Sequence, residues 1–174
     1  QQIRDAFTEY GVKDYVMVQK GDVRVALLGV FGKDALACAP TCELQFTDPV
    51  EAVKKTVAEI KKNEDADIIV CLSHSGTSED ESKSEDAKKV PDLDVIVSAH
   101  THTKLDEPIV HGDTYIVSAG EYGKYLGSLS LEQKDDGGWN MKEYKLTSIE
   151  TDIAENAATQ EEINSFMATV DTDY

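Results

Sequence analysis

The chain has 174 residues with 40% hydrophobic and 29% charged content, which is ordinary for one globular domain with a packed core. Aspartate and glutamate outnumber lysine and arginine by 34 to 17, so the formal net charge is −17. A surface of this sign repels nucleic-acid phosphates, and we expect no nucleic-acid partner. No apolar stretch approaches the length of a membrane span, so we expect no such span in this chain.

Two β-rich runs open the predicted fold, at residues 15–19 and 23–30. The turn Lys20-Gly21-Asp22 between them predicts a hairpin, with Asp22 as a turn residue. The second run is almost wholly apolar, which predicts a strand deep in a sheet that is covered on both faces.

A helix is predicted after a loop rich in Cys, Pro and Thr. Asp48 can cap it, Pro49 suits its first position and Glu51 completes a capping box. Apolar residues then recur at helical spacing: Val50, Val53, Val57 and Ile60. The apolar run 68–73 follows closely, so strand, helix and strand predict a crossover with parallel strands.

The three cysteines do not form a disulfide framework. Cys71 lies in an apolar run and is expected to be a small core residue. Cys38 and Cys42 flank a short loop and could pair or bind a metal, but two separate loop thiols are the preferred interpretation.

Three of the four histidines follow predicted strands. His74 follows the run 68–73, and His100 and His102 follow the run 95–99. Strand exits in α/β sheets are where ligand sites form, and neutral imidazole binds first-row metals well. We therefore favour a metal site over ordinary surface-loop histidines. We also expect an extended chain from His100 to His102, in which both side chains reach the same side.

The remaining segments carry weaker signals. Residues 75–89 are polar and acidic and predict a solvated loop with a short helix at its end. The runs 114–118, 126–131 and 139–146 predict an antiparallel meander, and residues 159–170 an amphipathic exit helix or linker. We expect His111 to be a solvated turn residue, and Tyr122 and Tyr125 to be packed in the core.

Two of these segments also carry a family resemblance. Leu72-Ser73-His74-Ser75-Gly76, followed by Ala99-His100-Thr101-His102-Thr103, resembles the distal half of the catalytic domain of the calcineurin-like metallophosphoesterases, in their 5′-nucleotidase branch. Residues 46–52 and 118–127 also resemble segments of that branch. Ala99 stands where the branch usually has glycine. The resemblance implies an α/β fold with mixed parallel and antiparallel strands, amounting to half of a two-sheet sandwich with flanking helices.

The resemblance also implies a site and an activity. His74 and His100 would be ligands of one divalent ion and His102 of a second, with zinc, manganese or iron suited to imidazole. The pair of ions would activate a water that attacks phosphorus in a nucleotide phosphate ester. Hydrolysis of 2′,3′-cyclic nucleotides or nucleotide sugars stays open, as does a non-catalytic metal-binding or structural module.

Several parts of the family pattern are missing from the sequence. The Asp-x-His and Asn-His motifs do not occur, and Gly21-Asp22 lies in a predicted turn. We therefore expect residues 1–150 to be the carboxy-terminal half of a catalytic domain, and 151–174 to begin an interdomain linker helix. The chain opens Gln1-Gln2, which suits a piece of a longer polypeptide. No catalytic or cofactor-binding residue is assigned in it, and negligible activity is expected without the other half and a substrate domain. The resemblance also implies an extracytoplasmic or cell-surface location.

Overall fold

The computed structural model describes residues 2–77, 92–135, 137–150 and 152–173. Most of the predicted solvated loop at 75–89 lies outside them. The four described helices are α1 (Gln2–Glu9), α2 (Lys33–Ala37), α3 (Pro49–Asn63) and α4 (Ala157–Asp173). The strands are β1 (Tyr15–Lys20), β2 (Val23–Phe31), β3 (Ile68–His74), β4 (Val95–Ser98), β5 (Ile109–His111), β6 (Thr114–Val117), β7 (Tyr125–Gln133) and β8 (Trp139–Ser148).

Six strands form the main sheet, in the order β1-β2-β3-β4-β6-β5. Neighbours among β2, β3, β4 and β6 are parallel, whereas β1 and β5 pair antiparallel at the two edges. The predicted hairpin is confirmed, because β1 and β2 pair around a turn in which Gly21 has φ 59°. The parallel crossover through α3 is confirmed too. The mixed α/β architecture is therefore the predicted one.

Helix α3 covers one face of this sheet and forms as its sequence dictates. Asp48 Oδ1 accepts the backbone N–H groups of Val50 and Glu51 at 3.0 and 3.2 Å, and Pro49 occupies the first turn. The buried residues of α3 pack against Ala26, Leu28, Ile69, Cys71, Ile96 and Ile116 of the sheet. This layer is the core of the molecule, and it confirms the predicted role of Cys71. Cys38 and Cys42 are exposed free thiols, also as predicted.

Within the described part of the chain, the opposite face of the sheet is largely uncovered. The strand registers place Val16, Leu72 and Val97 together on that face, and they are 43%, 50% and 40% exposed. Gly29 and Phe31 of β2 lie on the same side and are exposed as well. The prediction that β2 is covered on both faces is therefore wrong. An apolar sequence indicates a face that can be buried, and the covering layer must come from other segments.

A second sheet, formed by β7 and β8 alone, covers the far end of that face. The Met141 N–H donates to the Tyr115 hydroxyl at 3.0 Å, and the Trp139 Nε1–H donates to the Asp67 carbonyl at 2.8 Å. The predicted three-strand meander is wrong, because β6 pairs with β4 and β5 in the main sheet. Burial of Ile116 in the core and a hydrogen bond from the Thr114 hydroxyl to the Leu93 carbonyl hold β6 there.

The prediction for His111 also fails, whereas a helix is confirmed in the tail, where its role as a linker remains a prediction. His111 is the last residue of β5, paired with Thr114, and the turn consists of Gly112 and Asp113. Its Nε2 is buried and has no hydrogen-bond partner in the described part of the chain. Helix α4 spans the predicted segment. None of the described helices is long and apolar enough to cross a membrane.

Candidate metal centre

The carboxyl ends of β2, β3 and β4 lie side by side at one end of the main sheet. His74 ends β3 opposite Phe31 of β2, and the parallel pairing of β3 with β4 brings the segment after Ser98 to the same end. The Ala99 N–H donates to the Ser73 carbonyl at 2.9 Å, which carries this pairing beyond the last residue of β4. The exits that carry the predicted site histidines are therefore adjacent, as the sequence predicted for parallel strands.

His74 and His100 lie in direct ring contact. Their ring centroids are 5.0 Å apart and their planes meet at 61°, an edge-on arrangement. Phe31 stacks on His74, with a centroid distance of 5.8 Å and an interplanar angle of 5°. The His100 side chain is 16% exposed, so its ring is mostly enclosed. These two imidazoles can present nitrogens to one small ligand.

His102 has a different set of neighbours. Its Nδ1 lies 2.9 Å from Glu121 Oε2, and its ring centroid is 6.1 Å from that of Tyr122. The His102 side chain is 56% exposed. His102 thus has other neighbours than the pair His74 and His100, and the assignment of the three histidines to two ions remains a prediction.

The backbone between the two motif histidines is not extended. His100 and His102 have φ values of 87° and 55°, in the left-handed region that non-glycine residues rarely adopt. The expectation of an extended segment is wrong, because these residues form a tight loop after β4. Such strained conformations cluster at functional sites, where the surrounding structure holds them in place.

Hydroxyl groups tie this loop to its surroundings. Thr101 Oγ1 accepts the Thr77 backbone N–H at 2.9 Å and lies 3.0 Å from Thr103 Oγ1. The Ser118 hydroxyl donates to the Thr103 carbonyl at 2.7 Å. The loop that carries His100 and His102 is thus fixed both to the exit of β3 and to the exit of β6.

Two carboxylates that sequence reasoning missed approach the histidines. Asp34 Oδ2 lies 3.3 Å from His100 Nε2, and Glu121 lies beside His102. The hydrogen bond from Lys124 Nζ, at 2.9 Å, is the main reason that the pKa of Glu121 is lowered; His102 acts in the same direction, and desolvation opposes both. Asp34 lies just after β2, at the same end of the sheet as the histidines, and this position could have marked it as a site residue. Glu121 lay within a segment already compared with the family.

The tyrosines near the site correct a further expectation. Tyr122 is 84% exposed, with a φ of 55°, so it is not a core residue. Lys124 Nζ lies 5.4 Å from the centroid of its ring. Tyr125 is half-buried, and Lys104 Nζ lies 4.8 Å from its ring centroid. The tight turn after Gly120 directs Tyr122 outward beside His102.

The donor chemistry fits divalent metals only in part. Imidazoles of His74, His100 and His102 are good ligands for zinc, manganese or iron. Within residues 2–77, 92–135, 137–150 and 152–173, however, no group of three or more His, Cys, Asp or Glu side chains is arranged to hold an ion. A complete centre would therefore need donors in addition to these histidines.

Comparisons with known proteins agree with the resemblance in the sequence. No family model matches the chain. The trifunctional nucleotide phosphoesterase protein YfkN of Bacillus subtilis is 29% identical over 164 residues, which are 91% of this chain and 11% of that protein. The 5′-nucleotidase of Vibrio cholerae is 28% identical over 177 residues, covering 84% of this chain and 32% of that protein.

A solved structure has the same fold. The crystal structure of a 5′-nucleotidase precursor from Thermus thermophilus superposes with a TM-score of 0.69 at 24% identity, covering 91% of this chain and 34% of that one. The predicted fold class is thereby confirmed. The chain spans only part of the length of the curated relatives described above, 11% of the first protein and 32% of the second.

Proposed function

We propose that this chain, a relative of the calcineurin-like metallophosphoesterases of the 5′-nucleotidase branch, is part of a metal-dependent hydrolase of nucleotide phosphate esters. The observation that carries the proposal is the pair His74 and His100, in ring contact at the exits of two neighbouring parallel strands. Imidazole side chains at two adjacent strand exits suit a metal centre better than they suit a packed core.

In this proposal the chain supplies the imidazole half of a two-ion site. His74 and His100 would hold one ion and His102 the other, as zinc, manganese or iron. When bound, such ions polarise the phosphate ester and make water more acidic. The chain itself orients the rings: Phe31 stacks on His74, and the hydroxyl contacts of Thr101 and Ser118 hold the loop after β4.

We further propose that residues 1–150 form the carboxy-terminal half of the catalytic domain and that 151–174 begin a linker helix. The uncovered apolar face of the main sheet supports this division. His74 lies on that same face, because it pairs with Phe31 two residues beyond exposed Gly29. A layer carrying the Asp-x-His, Gly-Asp and Asn-His motifs would cover the apolar residues and supply carboxylates beside the histidines. The cell-surface or extracytoplasmic location also remains a proposal.

The isolated chain is predicted to have negligible phosphatase activity. Two dications held close together repel each other unless carboxylates neutralise them, and the bridging Asp of the family pattern is missing here. The measurement is release of phosphate from AMP with added zinc or manganese. Metal-dependent turnover by the chain alone, abolished by His100→Ala, would overturn this prediction.

The complete protein tests the function itself. The reading frame around this chain is expected to encode the three missing motifs in order, and its product to hydrolyse 5′-AMP with added metal. His100→Ala should remove that activity, whereas His111→Ala, at the histidine in β5, should retain it. Comparing 5′-AMP with 2′,3′-cyclic AMP and a nucleotide sugar separates the alternative substrates. A frame without those motifs, and a product without hydrolysis of any of the three, would favour the structural module.

A further inference from the structure

The carboxylates of Asp34 and Glu121 approach opposite nitrogens of the two motif histidines. Glu121 Oε2 lies 2.9 Å from Nδ1 of His102, whereas Asp34 Oδ2 lies 3.3 Å from Nε2 of His100. A neutral imidazole has one N–H donor and one lone pair, and a carboxylate accepts hydrogen bonds only. In a neutral ring, each contact therefore favours the tautomer with its proton on the nitrogen beside the carboxylate, and the two tautomers are opposite.

We propose that Glu121 and Asp34 are positioning residues that set these tautomers. Glu121 holds the proton of His102 on Nδ1 and leaves Nε2 free as an acceptor. Asp34 holds the proton of His100 on Nε2 and leaves Nδ1 free. Histidine ligands of metals commonly donate their other ring N–H to a carboxylate, which fixes the orientation of the ring. That the free nitrogens face metal ions rests on the proposed function. The assignment of the tautomers does not depend on it.

Glu121 is itself held in place from its other side. Its Oε1 accepts a hydrogen bond from Lys124 Nζ at 2.9 Å, and the Lys124 backbone N–H donates to the Glu121 carbonyl at 3.1 Å. This one-turn clamp leaves Oε2 for the imidazole. The left-handed φ of 55° at His102 aims the ring at that oxygen. Both ends of the contact are therefore fixed by local structure.

Asp34 reaches His100 because α2 begins right against the exit of β3. The Gly32 N–H donates to the His74 carbonyl at 3.1 Å. A Cβ at Gly32 would come within 2.6 Å of the Ser75 Cα, a distance that backbone atoms cannot accept. Glycine at this position thus permits the close approach that carries Asp34, two residues later, to the imidazole.

The test is nitrogen-15 NMR of the histidine rings in the metal-free chain, at a pH where a free imidazole is neutral. His102 is expected to show the Nδ1–H tautomer and His100 the Nε2–H tautomer. Glu121→Ala should remove the Nδ1–H preference of His102, and Glu121→Gln, whose amide oxygen still accepts, should largely restore it. A free neutral imidazole already favours Nε2–H, so Asp34→Ala should lower the Nε2–H fraction of His100 only to that of a free imidazole, and Asp34→Asn should restore the higher fraction. Asp106→Asn, at a carboxylate that pairs with Lys104, is the matched control and should change neither ring.

Zinc titration of the same variants gives a second readout. Glu121→Ala and Asp34→Ala are each expected to weaken zinc binding about 10- to 100-fold, the usual effect of removing a partner of a metal-binding histidine. An Nε2–H tautomer at His102 in the wild type, or no change of tautomer in either alanine variant, would overturn the proposal. The stated tautomers without zinc binding would support the pairing, and the two-ion site is tested separately by metal-dependent hydrolysis in the complete protein. Backbone amide spectra recorded with each sample show whether every variant is folded.

Discussion

At the scale of single residues, the site combines strained backbone with one enclosed histidine, His100, and one exposed histidine, His102. The left-handed conformations of His100 and His102 are of the kind that cost of order 1–3 kcal/mol each in non-glycine residues. The cost is tolerated because the loop is fixed by the hydroxyl contacts of Thr101 and Ser118. A histidine kept in a conformation that suits glycine is a sign that the imidazole itself is required there.

This strain predicts an inverted order of stability at His100. His100→Gly should be more stable than His100→Ala by about 1 kcal/mol, because only glycine adopts a φ of 87° without penalty. The measurement is the free energy of unfolding in urea. At Lys55, an exposed position inside α3, the same comparison should have the opposite sign, since glycine is about 1 kcal/mol worse than alanine in a helix. If the glycine variant were less stable than the alanine variant at both positions, the strain at His100 would be refuted.

The residue scale also marks the limit of sequence reasoning. The three histidines could be located from strand exits alone, because the apolar runs before them define where the sheet ends. The position of Asp34 after β2 places it near these histidines, but its contact with His100 and that of Glu121 with His102 could not be predicted, since each depends on how a loop turns. Tyr122 was misplaced for the same reason: its ring points outward only because the residue adopts a positive φ.

At the scale of elements, α3 is the part whose formation follows most directly from sequence. Its cap, its first-turn proline and its apolar spacing all agree, and the helix forms over residues Pro49–Asn63. Strand β6 is the counterexample. Period-two patterning indicates which side chains share a face of a sheet, but it carries no information on which strand lies alongside. For this reason the sequence pattern groups β6 with the β7–β8 hairpin and does not indicate β5.

The cap of α3 makes the stability of the chain depend on pH. The hydrogen bond from Lys33, whose Nζ lies 2.7 Å from Asp48 Oδ2, is the main reason that the pKa of Asp48 is lowered, followed by the Glu51 backbone N–H. A carboxyl whose pKa is lowered by folding adds stability above its unfolded pKa of about 3.9 and loses that contribution as the pH falls through the folded value.

Asp48→Ala is therefore expected to destabilise the chain at neutral pH and to do so progressively less in acid. Urea unfolding of both proteins across the acid range measures this difference. Glu43→Ala, at an exposed position in the loop before α3, is a control for general loss of an acidic side chain. A difference between wild type and Asp48→Ala that stays constant into strong acid would contradict the role of the ionised cap.

At the scale of the whole molecule, one sheet has two faces with unlike environments. Helix α3 buries the centre of one face, while the β7–β8 hairpin covers only the far end of the other. The sequence predicted the apolar strands but not this asymmetry, because apolar residues look the same whether or not the covering layer is present in the chain.

Neighbouring residues of β4 test the asymmetry. Ile96 is 3% exposed on the α3 side and Val97 is 40% exposed on the other. Ile96→Thr should lower the free energy of unfolding by at least about 2 kcal/mol, through lost packing and a buried hydroxyl. Val97→Thr should change it by less than about 0.5 kcal/mol, as is usual for exposed positions.

The same two variants separate folding from association. The exposed apolar face is expected to make the isolated chain self-associate, and Val97→Thr should reduce this association in light scattering. In the complete protein, the same variant should lower activity. If Val97→Thr destabilised the isolated chain as strongly as Ile96→Thr, the face would already be covered, and the proposed missing layer would be wrong.

The chain contains a single tryptophan, and its indole N–H is bonded to the Asp67 carbonyl just before β3. That bond joins the small hairpin to the main sheet, and Asp67 in turn bonds with its own N–H and carboxylate to the backbone of Arg24. Trp139 is therefore an intrinsic fluorescent probe at the contact between the two sheets. Fluorescence from this one side chain follows whether the hairpin stays attached when the rest of the chain is perturbed, without any label being introduced.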